Sequence, residues 1–254
     1  MRRLFLFSIV FLPLGCGPDL SPEKYVVKSI VSNTFEEYTF NYLGNKMQSV
    51  LGTDSTTLTY TYFKDSTSIR LINKKSEIVQ YTTLTYSGSS LTEVKIRWAS
   101  SKQWYKDSVQ LDYIAGILTR INYKNATYQV TMQNGNLIGL RRGNGNLSVT
   151  YAMTYDGVTN PLNLVYWHDA LITPSGTSAT LQPNALARFF SKNNLSTSAG
   201  SILGVKETQR FTYTYLKGIL PKSIDQEIET SRTKLSGLIF IADILYTPKA
   251  NTAP

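Results

Sequence analysis

The sequence predicts an all-β protein with a single folded domain: an antiparallel up-and-down meander of about 13 strands, curled into an open or closed barrel, with one short inserted helix. Three observations predict this fold. Apolar and polar residues alternate with period two along most of the chain, clusters of glycine and asparagine interrupt the alternation, and one spacing of apolar residues recurs around those clusters.

The alternating segments have one face rich in tyrosine and another rich in threonine. Phe211, Tyr213 and Tyr215 alternate with Thr212 and Thr214, as expected for half-buried strands, in which successive side chains point to opposite faces. The chain contains 17 tyrosines, and tyrosine and threonine both favour a pleated surface. Similar alternation covers residues 57–62, 109–113, 127–132 and 149–155.

Hairpin turns are predicted where glycine and asparagine cluster, because these residues adopt the positive φ values that tight turns need. Around the turns, an apolar residue is followed by others at plus five and plus eight, as in Tyr86, Leu91 and Val94. The first residue would end an outgoing strand and the plus-five residue would begin the return strand, both facing inward. The spacing starts at Tyr42, Tyr86, Tyr113 and Met132, and in part at Tyr215. The turn clusters are 43–46, 87–90, 114–116, 133–136, 143–146 and 216–218.

One segment departs from period two. Leu186, Phe189 and Phe190 are spaced i, i+3 and i+4, after Pro183 and before a pair of asparagines. This spacing, with its start and stop signals, predicts a short amphipathic helix near 183–192. We expect it to cover an open end of the rolled sheet or to fill its interior, in preference to binding a membrane, because so short an apolar face buries little area.

The N-terminus predicts export and lipid attachment. Arg2 and Arg3 precede an apolar run that is shorter than the about 20 residues of a membrane-spanning helix, so residues 1–15 are interpreted as a signal peptide. Gly15 and Cys16, after Leu14, resemble the lipobox of bacterial lipoproteins, although Pro13 stands where leucine is commonest. The resemblance implies cleavage before Cys16 and acylation of that cysteine, which would hold the protein to a membrane.

Residues 16–35 are interpreted as a lipid-anchored tether, and residues 36–254 as the β-meander domain. The tether begins with small, polar and proline residues, which are typical of flexible linkers. Gly17, and not aspartate, follows the cysteine. By resemblance to Gram-negative sorting signals this favours the outer membrane, with the periplasmic and surface faces both left open.

Composition narrows the classes of partner. The formal net charge is +9 at pH 7, but the basic residues form short pairs such as Lys74-Lys75 and not a stripe, so with export predicted we expect no nucleic-acid partner. The chain has one cysteine and therefore no internal disulfide. An aromatic fraction of 12% with only 17% charged residues is typical of a folded domain and not of a disordered one.

The repeated hairpin resembles the tyrosine–glycine repeats of YD-repeat proteins. The whole mature chain resembles uncharacterised β-meander lipoproteins of Bacteroidota-type bacteria, a family of unknown function. This second resemblance depends on Tyr155-Asp156 with Asn160-Pro161-Leu162, on Ser191-Lys192-Asn193-Asn194, and on the segment 213–222. The family often has proline after the paired asparagines, where this chain has Leu195. It implies an all-β lipoprotein and no catalytic residues.

The residues that carry enzyme chemistry are sparse. His168 is the only histidine, and no G-x-S-x-G motif accompanies it, so a serine-hydrolase site is not favoured over a local hydrogen-bonding role. One histidine and one lipidated cysteine cannot form a zinc site. No spacing singles out a pair of carboxylates for glycoside hydrolysis. We therefore expect no enzyme activity, no metal and no cofactor.

Three Asp-Ser pairs at predicted turns resemble the O-glycosylation acceptor of exported Bacteroidota proteins. The alternative is that aspartate and serine are simply good turn residues. The candidate acceptors are Ser55, Ser66 and Ser108.

The tyrosine-rich face is the main candidate for a binding site. Tyrosine has a large apolar body and a hydroxyl that needs a partner, so this face suits either a wet groove for a sugar or lipid, or a core with hydroxyls at its rim. The candidate ligand-binding residues are Tyr60, Tyr62, Tyr113, Tyr151, Tyr155, Trp98, Trp104 and Trp167.

These features favour a non-enzymatic cell-envelope lipoprotein that binds an amphipathic or carbohydrate ligand. The first alternative is a structural or accessory outer-membrane lipoprotein that acts through protein contacts. A hydrolase is the least favoured.

Overall fold

The computed structural model describes residues 25–32, 37–44, 46–143, 149–161, 163, 171–202, 205–216, 220–231 and 238–248. Sixteen strands form a closed antiparallel barrel in which chain neighbours pair, β15 follows β12, and β18 pairs with β1. The predicted all-β meander with one short helix is confirmed, with 16 barrel strands in place of about 13. The elements are β1 (Tyr25–Ser32), β2 (Glu37–Leu43), β3 (Lys46–Gly52), β4 (Thr57–Tyr62), β5 (Ser66–Ile72), β6 (Ile78–Ser87), β7 (Ser90–Ser100), β8 (Gln103–Ile114), β9 (Ile117–Tyr123), β10 (Ala126–Gln133), β11 (Asn136–Arg142), β12 (Val149–Thr159), β13 (Ile172–Ser175), β14 (Ser178–Leu181), α1 (Pro183–Phe190), β15 (Asn193–Ile202), β16 (Val205–Leu216), β17 (Leu220–Thr230) and β18 (Leu238–Pro248).

The barrel begins earlier in the chain than the sequence indicates. Strand β1 lies inside the segment 16–35 interpreted as a tether, and it closes the barrel by pairing from Tyr25 opposite Pro248. Its alternation is hard to recognise because the register shifts between Val27 and Ser29. Such a bulge adds one residue and moves the following side chains to the other face.

Successive strands run in opposite directions, so the turns divide between two rims. We call the end at which β1 begins the N-terminal rim. It also holds the end of β18, because Tyr25 pairs with Pro248. The turns at this rim join β2 to β3, β4 to β5, β6 to β7, β8 to β9, β10 to β11 and β16 to β17.

The recurring spacing corresponds to a bulged hairpin at the N-terminal rim. Tyr86 pairs with Leu91, and the register shifts between Thr85 and Tyr86. The bulge explains why the inward-facing residues of the return strand are separated by three positions and not two. Ala115 and Gly116, with φ of 49° and 77°, form the kind of turn that such a hairpin needs. The same pairing and shift occur at Tyr42, Tyr113 and Met132, while Tyr215 pairs with Pro221 in place of Leu220.

The interior of the barrel is apolar, and its outer face is polar. One large cluster of buried side chains includes Ile96, Ile121 and Leu140, and a smaller cluster beside β1 and β18 includes Val27 and Ile244. The exposed residues of the same strands are largely threonine, lysine, arginine and glutamine. The outer face therefore faces an aqueous environment across most of the described strands.

A segment between β12 and β15, which we call the insert, enters the interior from the N-terminal rim. The insert contains the β13–β14 hairpin and helix α1. Leu171, Ile172, Leu181, Leu186 and Phe189 belong to the large core cluster and are almost fully buried. The insert thus fills the space that a barrel of 16 strands would otherwise leave as a channel.

Candidate functional site

Asparagine side chains fix helix α1 inside the barrel. The last carbonyl groups of a helix have no partner within it, and here Asn160 Nδ2 donates to the Arg188 carbonyl at 2.7 Å and to the Ser191 carbonyl at 3.1 Å. Asn163 Nδ2 donates to the Phe189 carbonyl at 3.0 Å. The Asn160-Pro161 motif of the family resemblance therefore holds the helix end in place.

The paired asparagines that follow the helix connect the end of the insert to the neighbouring barrel strands. Asn136 Nδ2 donates a hydrogen bond to Asn193 Oδ1 at 3.0 Å, and the backbone N–H of Asn193 donates to Asn136 Oδ1 at 3.0 Å. Asn194 Nδ2 donates to the Val158 carbonyl and to Asp156. Because these bonds join β11, β12 and β15, the 191–194 motif has a structural role.

The other end of the insert reaches the opposite rim. The turn of the β13–β14 hairpin accepts a hydrogen bond at the Gly176 carbonyl from Trp98 Nε1, at 2.9 Å. The Ala179 carbonyl accepts from the Tyr123 hydroxyl at 2.5 Å and from Lys124 Nζ at 2.9 Å. Trp98 and Tyr123 lie close to the ends of β7 and β9 at that rim, so the insert runs along the length of the interior.

A cavity of about 390 Å³ opens at the N-terminal rim between helix α1 and three hairpins. Its wall is mainly apolar, with Phe189 and Phe190 from the helix opposite Leu91 and Leu118 from the barrel. Ser89, Ser90, Gln133 and Asn134 lie at the turns that form its mouth. An apolar pocket with polar groups at one edge suits a small molecule with an apolar body and a polar end.

Several tyrosine hydroxyls of the barrel donate to backbone carbonyl groups. At four of the bulged hairpins, a tyrosine on the next strand donates to the carbonyl of the return-strand residue that pairs at the bulge. Tyr113 donates to the Leu91 carbonyl at 2.9 Å, and Tyr155 donates to the Leu137 carbonyl at 2.6 Å. The further pairs are Tyr62 with the Met47 carbonyl, Tyr213 with the Leu195 carbonyl and Tyr246 with the Pro221 carbonyl.

We expect these buried tyrosines to ionise at a higher pH than free tyrosine, and the folded protein to lose stability at the pH where they ionise. Burial raises the pKa of Tyr113 and of Tyr155 from 10.0 to about 12, because the phenolate is poorly solvated there. Their folded-state pKa lies above the unfolded value, so their contribution to stability is complete below pH 10 and is lost as the pH rises towards 12.

The measurement is an ultraviolet titration of tyrosinate in the native protein, compared with the same chain in denaturant. Most tyrosines of the native protein should ionise at a higher pH than those of the denatured chain, and the near-ultraviolet circular dichroism should be lost over the same pH range. Identical native and denatured titration curves would contradict the burial described.

The structure separates the predicted ligand-binding residues. Tyr113 lines the rim cavity. Tyr60 and Tyr155 pack against the large core cluster, and so does Tyr151, whose ring lies against Gly200 on the neighbouring strand. Tyr62 is partly exposed near the N-terminal rim.

The tryptophans do not share one face. Trp98 faces the interior and is only 4% exposed, whereas Trp104 is 42% exposed on the outer face. Trp167 and His168 lie outside the described residues, as does Cys16. Trp98 and Trp104 thus lie on opposite faces of the sheet, because the β7–β8 turn brings Trp98 opposite Tyr105 and Trp104 opposite Ala99. Sugar stacking by either tryptophan stays a prediction.

The candidate glycan acceptors lie in different settings. Ser55 is in an exposed turn, and Ser66 begins β5. Ser108 lies within β8 and not in a turn, where its amide donates to the Asp107 side chain at 2.9 Å. Glycosylation at the three serines stays a prediction.

The cavity residues that the sequence did not single out are Phe189, Phe190, Leu91, Leu118 and Met132. Their apolar, inward-facing positions in the hairpin repeat and the helix predict core packing, and nothing in the spacing predicts that they leave a gap. Within the described ranges no group of three or more histidine, cysteine or acidic residues could hold a metal ion. No helix in the described part of the chain is long and apolar enough to cross a membrane.

No family model and no curated protein matches this chain. Among solved structures, it is similar to a porin-like protein from Bacteroides uniformis ATCC 8492, with a TM-score of 0.53 and 13% identity over 89% of this chain and 95% of the other. It is also similar to a porin-like protein from Bacteroides vulgatus ATCC 8482, with a TM-score of 0.50 and 13% identity over 88% of this chain and 99% of the other. At this identity the likeness concerns the fold. Both neighbours come from Bacteroides, in line with the Bacteroidota-type resemblance, and the YD-repeat resemblance stays a prediction.

Proposed function

We propose that this protein is a non-enzymatic lipoprotein of the outer membrane that binds an amphipathic ligand in the cavity at the N-terminal rim. One observation carries the proposal: the apolar cavity opens at the rim where the chain that follows Cys16 enters the barrel. An acylated Cys16 would lie nine residues before Tyr25. A chain of that length spans at most about 30 Å, so the cavity mouth stays close to the membrane surface.

The polarity of the barrel supports a position on the membrane and not within it. A transmembrane barrel has an apolar band on its outer face and a polar interior. Here the described strands have the opposite arrangement, with outward residues such as Lys95, Arg120 and Arg141 exposed and the apolar side chains inside. An acyl anchor supplies the membrane attachment that such an outer face cannot.

Exposed apolar residues at the N-terminal rim support the same orientation. Leu43, Phe63, Ile114 and Ile117 lie at hairpin turns of this rim and are each more than half exposed. Neighbouring hairpins lie about 10 Å apart, so these side chains form an arc along one side of the rim. Apolar side chains of this kind enter the boundary between lipid headgroups and acyl chains.

The cavity favours a ligand taken from or delivered to the membrane. Its volume of about 390 Å³ lies within the range of small-molecule sites, about 300–1,000 Å³. The apolar wall would take an acyl chain or a similar body, while the serine and asparagine residues at the mouth would face the polar end.

Replacing Phe190 with aspartate is expected to abolish ligand binding. Phe190 is half-buried at the cavity wall, and a carboxylate there would have to lose its hydration to meet an apolar ligand. The measurement is the affinity for a fluorescent fatty acid, together with native mass spectrometry of co-purifying molecules.

The matched control is Phe63→Asp, which makes the same change at an exposed rim turn, and both variants are checked by thermal unfolding. Equal affinity in the wild type and in a folded Phe190→Asp variant would contradict the cavity as the binding site. Failure of every preparation to hold a ligand, with a partner protein co-purifying, would favour the accessory role.

A further inference from the structure

A row of cations and one aromatic ring crosses four adjacent strands on the outer face of the barrel. Arg70 on β5 is opposite Tyr81 on β6, Tyr81 is opposite Arg97 on β7, and Arg97 is opposite Lys106 on β8. With strands about 4.8 Å apart, the row extends about 14 Å. It lies nearer the rim opposite the N-terminal rim and therefore away from the rim cavity.

The placement of Arg97 opposite Lys106 is unfavourable in the protein alone. Like charges directly opposite each other on neighbouring strands repel, and within the described residues neither Arg97 nor Lys106 is within ion-pair distance of a carboxylate. Lys95, one row further along, is paired with Glu93 at 2.6 Å. Two adjacent cations without acidic partners are a site for an anion.

Three members of the row, Tyr81, Arg97 and Lys106, line an open groove of about 720 Å³. Among the described residues, Asp107 is the only acidic one that lines this groove, and its carboxylate is engaged on the interior side. One oxygen accepts from the Tyr123 hydroxyl at 2.9 Å and lies 3.6 Å from Lys124 Nζ. The charge of the groove is therefore positive.

The Tyr81 ring lines the groove, and the Trp104 ring lies beside it. The Arg97 guanidinium lies 4.8 Å from the centre of the Trp104 ring, which orients it by a cation–π contact. The Tyr81 and Trp104 rings lie 5.6 Å apart, and Trp104 is 42% exposed. Flat apolar rings beside fixed cations match a sugar chain, whose rings present C–H groups on their faces and whose acidic groups project from the edge.

We propose that this groove binds an acidic polysaccharide, with Arg97 and Lys106 pairing with its carboxylate or phosphate groups and with Trp104 and Tyr81 packing against its sugar rings. The exported location predicted from residues 1–16 favours a polysaccharide over a nucleic acid, which also offers anionic groups and flat rings. The groove does not depend on what the rim cavity binds, because the two lie on different faces of the barrel.

The test is calorimetric binding of oligogalacturonate to the purified protein and to two double variants of equal net charge. Arg97→Gln with Lys106→Gln removes the proposed contacts and is expected to weaken binding by about tenfold or more, as for the loss of charged hydrogen bonds. Arg120→Gln with Arg141→Gln removes two outward cations elsewhere and is expected to change affinity by less than about twofold. Trp104→Ala is expected to weaken binding by about threefold to tenfold.

Neutral malto-oligosaccharide, a single-stranded oligonucleotide and polyglutamate serve as comparison ligands. Preference for oligogalacturonate, with loss in the Arg97 and Lys106 variant alone, supports the proposal. Equal loss in both double variants, no effect of Trp104→Ala, no binding by the wild type, or comparable binding of the oligonucleotide or polyglutamate would each overturn it. Thermal unfolding confirms that each variant is folded.

Discussion

Replacing Cys16 with serine is expected to remove all fatty-acid label from the protein and to release the barrel from membranes. Stable attachment needs more than one acyl chain, each contributing about 0.8 kcal/mol per buried methylene, and the polar outer face offers no other apolar band among the described strands. The measurement is metabolic labelling with a fatty-acid alkyne, followed by the intact mass and by flotation of membranes.

The control for this prediction is Ser21→Ala, which changes the same segment and leaves the cysteine in place. It should retain both the label and the membrane association. To separate the anchor from an uncleaved leader, the serine variant is also exported behind a signal that lacks a lipobox. If the labelled mass persists in Cys16→Ser, the lipoprotein assignment fails, whatever the rim cavity binds.

Replacing Trp98 with alanine is expected to destabilise the barrel by about 3–5 kcal/mol, the usual cost of truncating a buried aromatic residue. Trp98 is almost fully buried, stacks on Tyr105 at 5.9 Å and donates to the Gly176 carbonyl. The substitution opens a cavity and also removes the only donor to the Gly176 carbonyl among the described residues. Denaturant unfolding measures the loss.

Trp104→Ala is the matched control, because the same residue type is removed from the outer face of the adjoining strand. Its cost should stay within about 1 kcal/mol. Trp98→Phe keeps most of the packing and removes the N–H donor, so it should cost about 1–3 kcal/mol. Equal destabilisation by the two alanine variants would contradict the interior position of Trp98.

Most of the barrel could be predicted from the sequence because its strands have one solvent-exposed face and one buried face. The alternation of Phe211, Tyr213 and Tyr215 with threonine is a direct consequence of that two-sided environment. The spacing of Tyr86, Leu91 and Val94 also indicates the bulge. The extra residue places successive inward-facing residues of the return strand three positions apart and not two. These local patterns do not depend on distant parts of the chain.

Closure and the path of the insert could not be predicted, because they depend on distant pairings. Strand β1 pairs with a strand more than 200 residues later, and its bulge hides the period. The strands β13 and β14 have four residues each, too few for a clear alternation. Whether the insert covers the barrel or enters it is decided by Trp98 and Tyr123, whose partners lie far away in sequence.

The role of the tyrosines was equally hidden. Tyr113 donates across 22 residues and Tyr155 across 18, each to the carbonyl of a bulged hairpin on the preceding strand. The separation varies with the lengths of the two strands and of the turn that joins them, so no constant spacing marks these pairs. The sequence therefore allowed both a wet groove and a core, and the hydroxyl partners favour the core for most of this face.

The pairing of Tyr25 with Pro248 places the start of the first barrel strand beside the end of the last one. A short linker could join them, and the chain could be reopened at a turn of the opposite rim with every barrel contact kept. A circular permutant of this kind would carry its anchor at the other end. It would stand inverted on the bilayer with the mouth of the cavity pointing into the surrounding fluid, which would separate holding a ligand from exchanging it with the membrane.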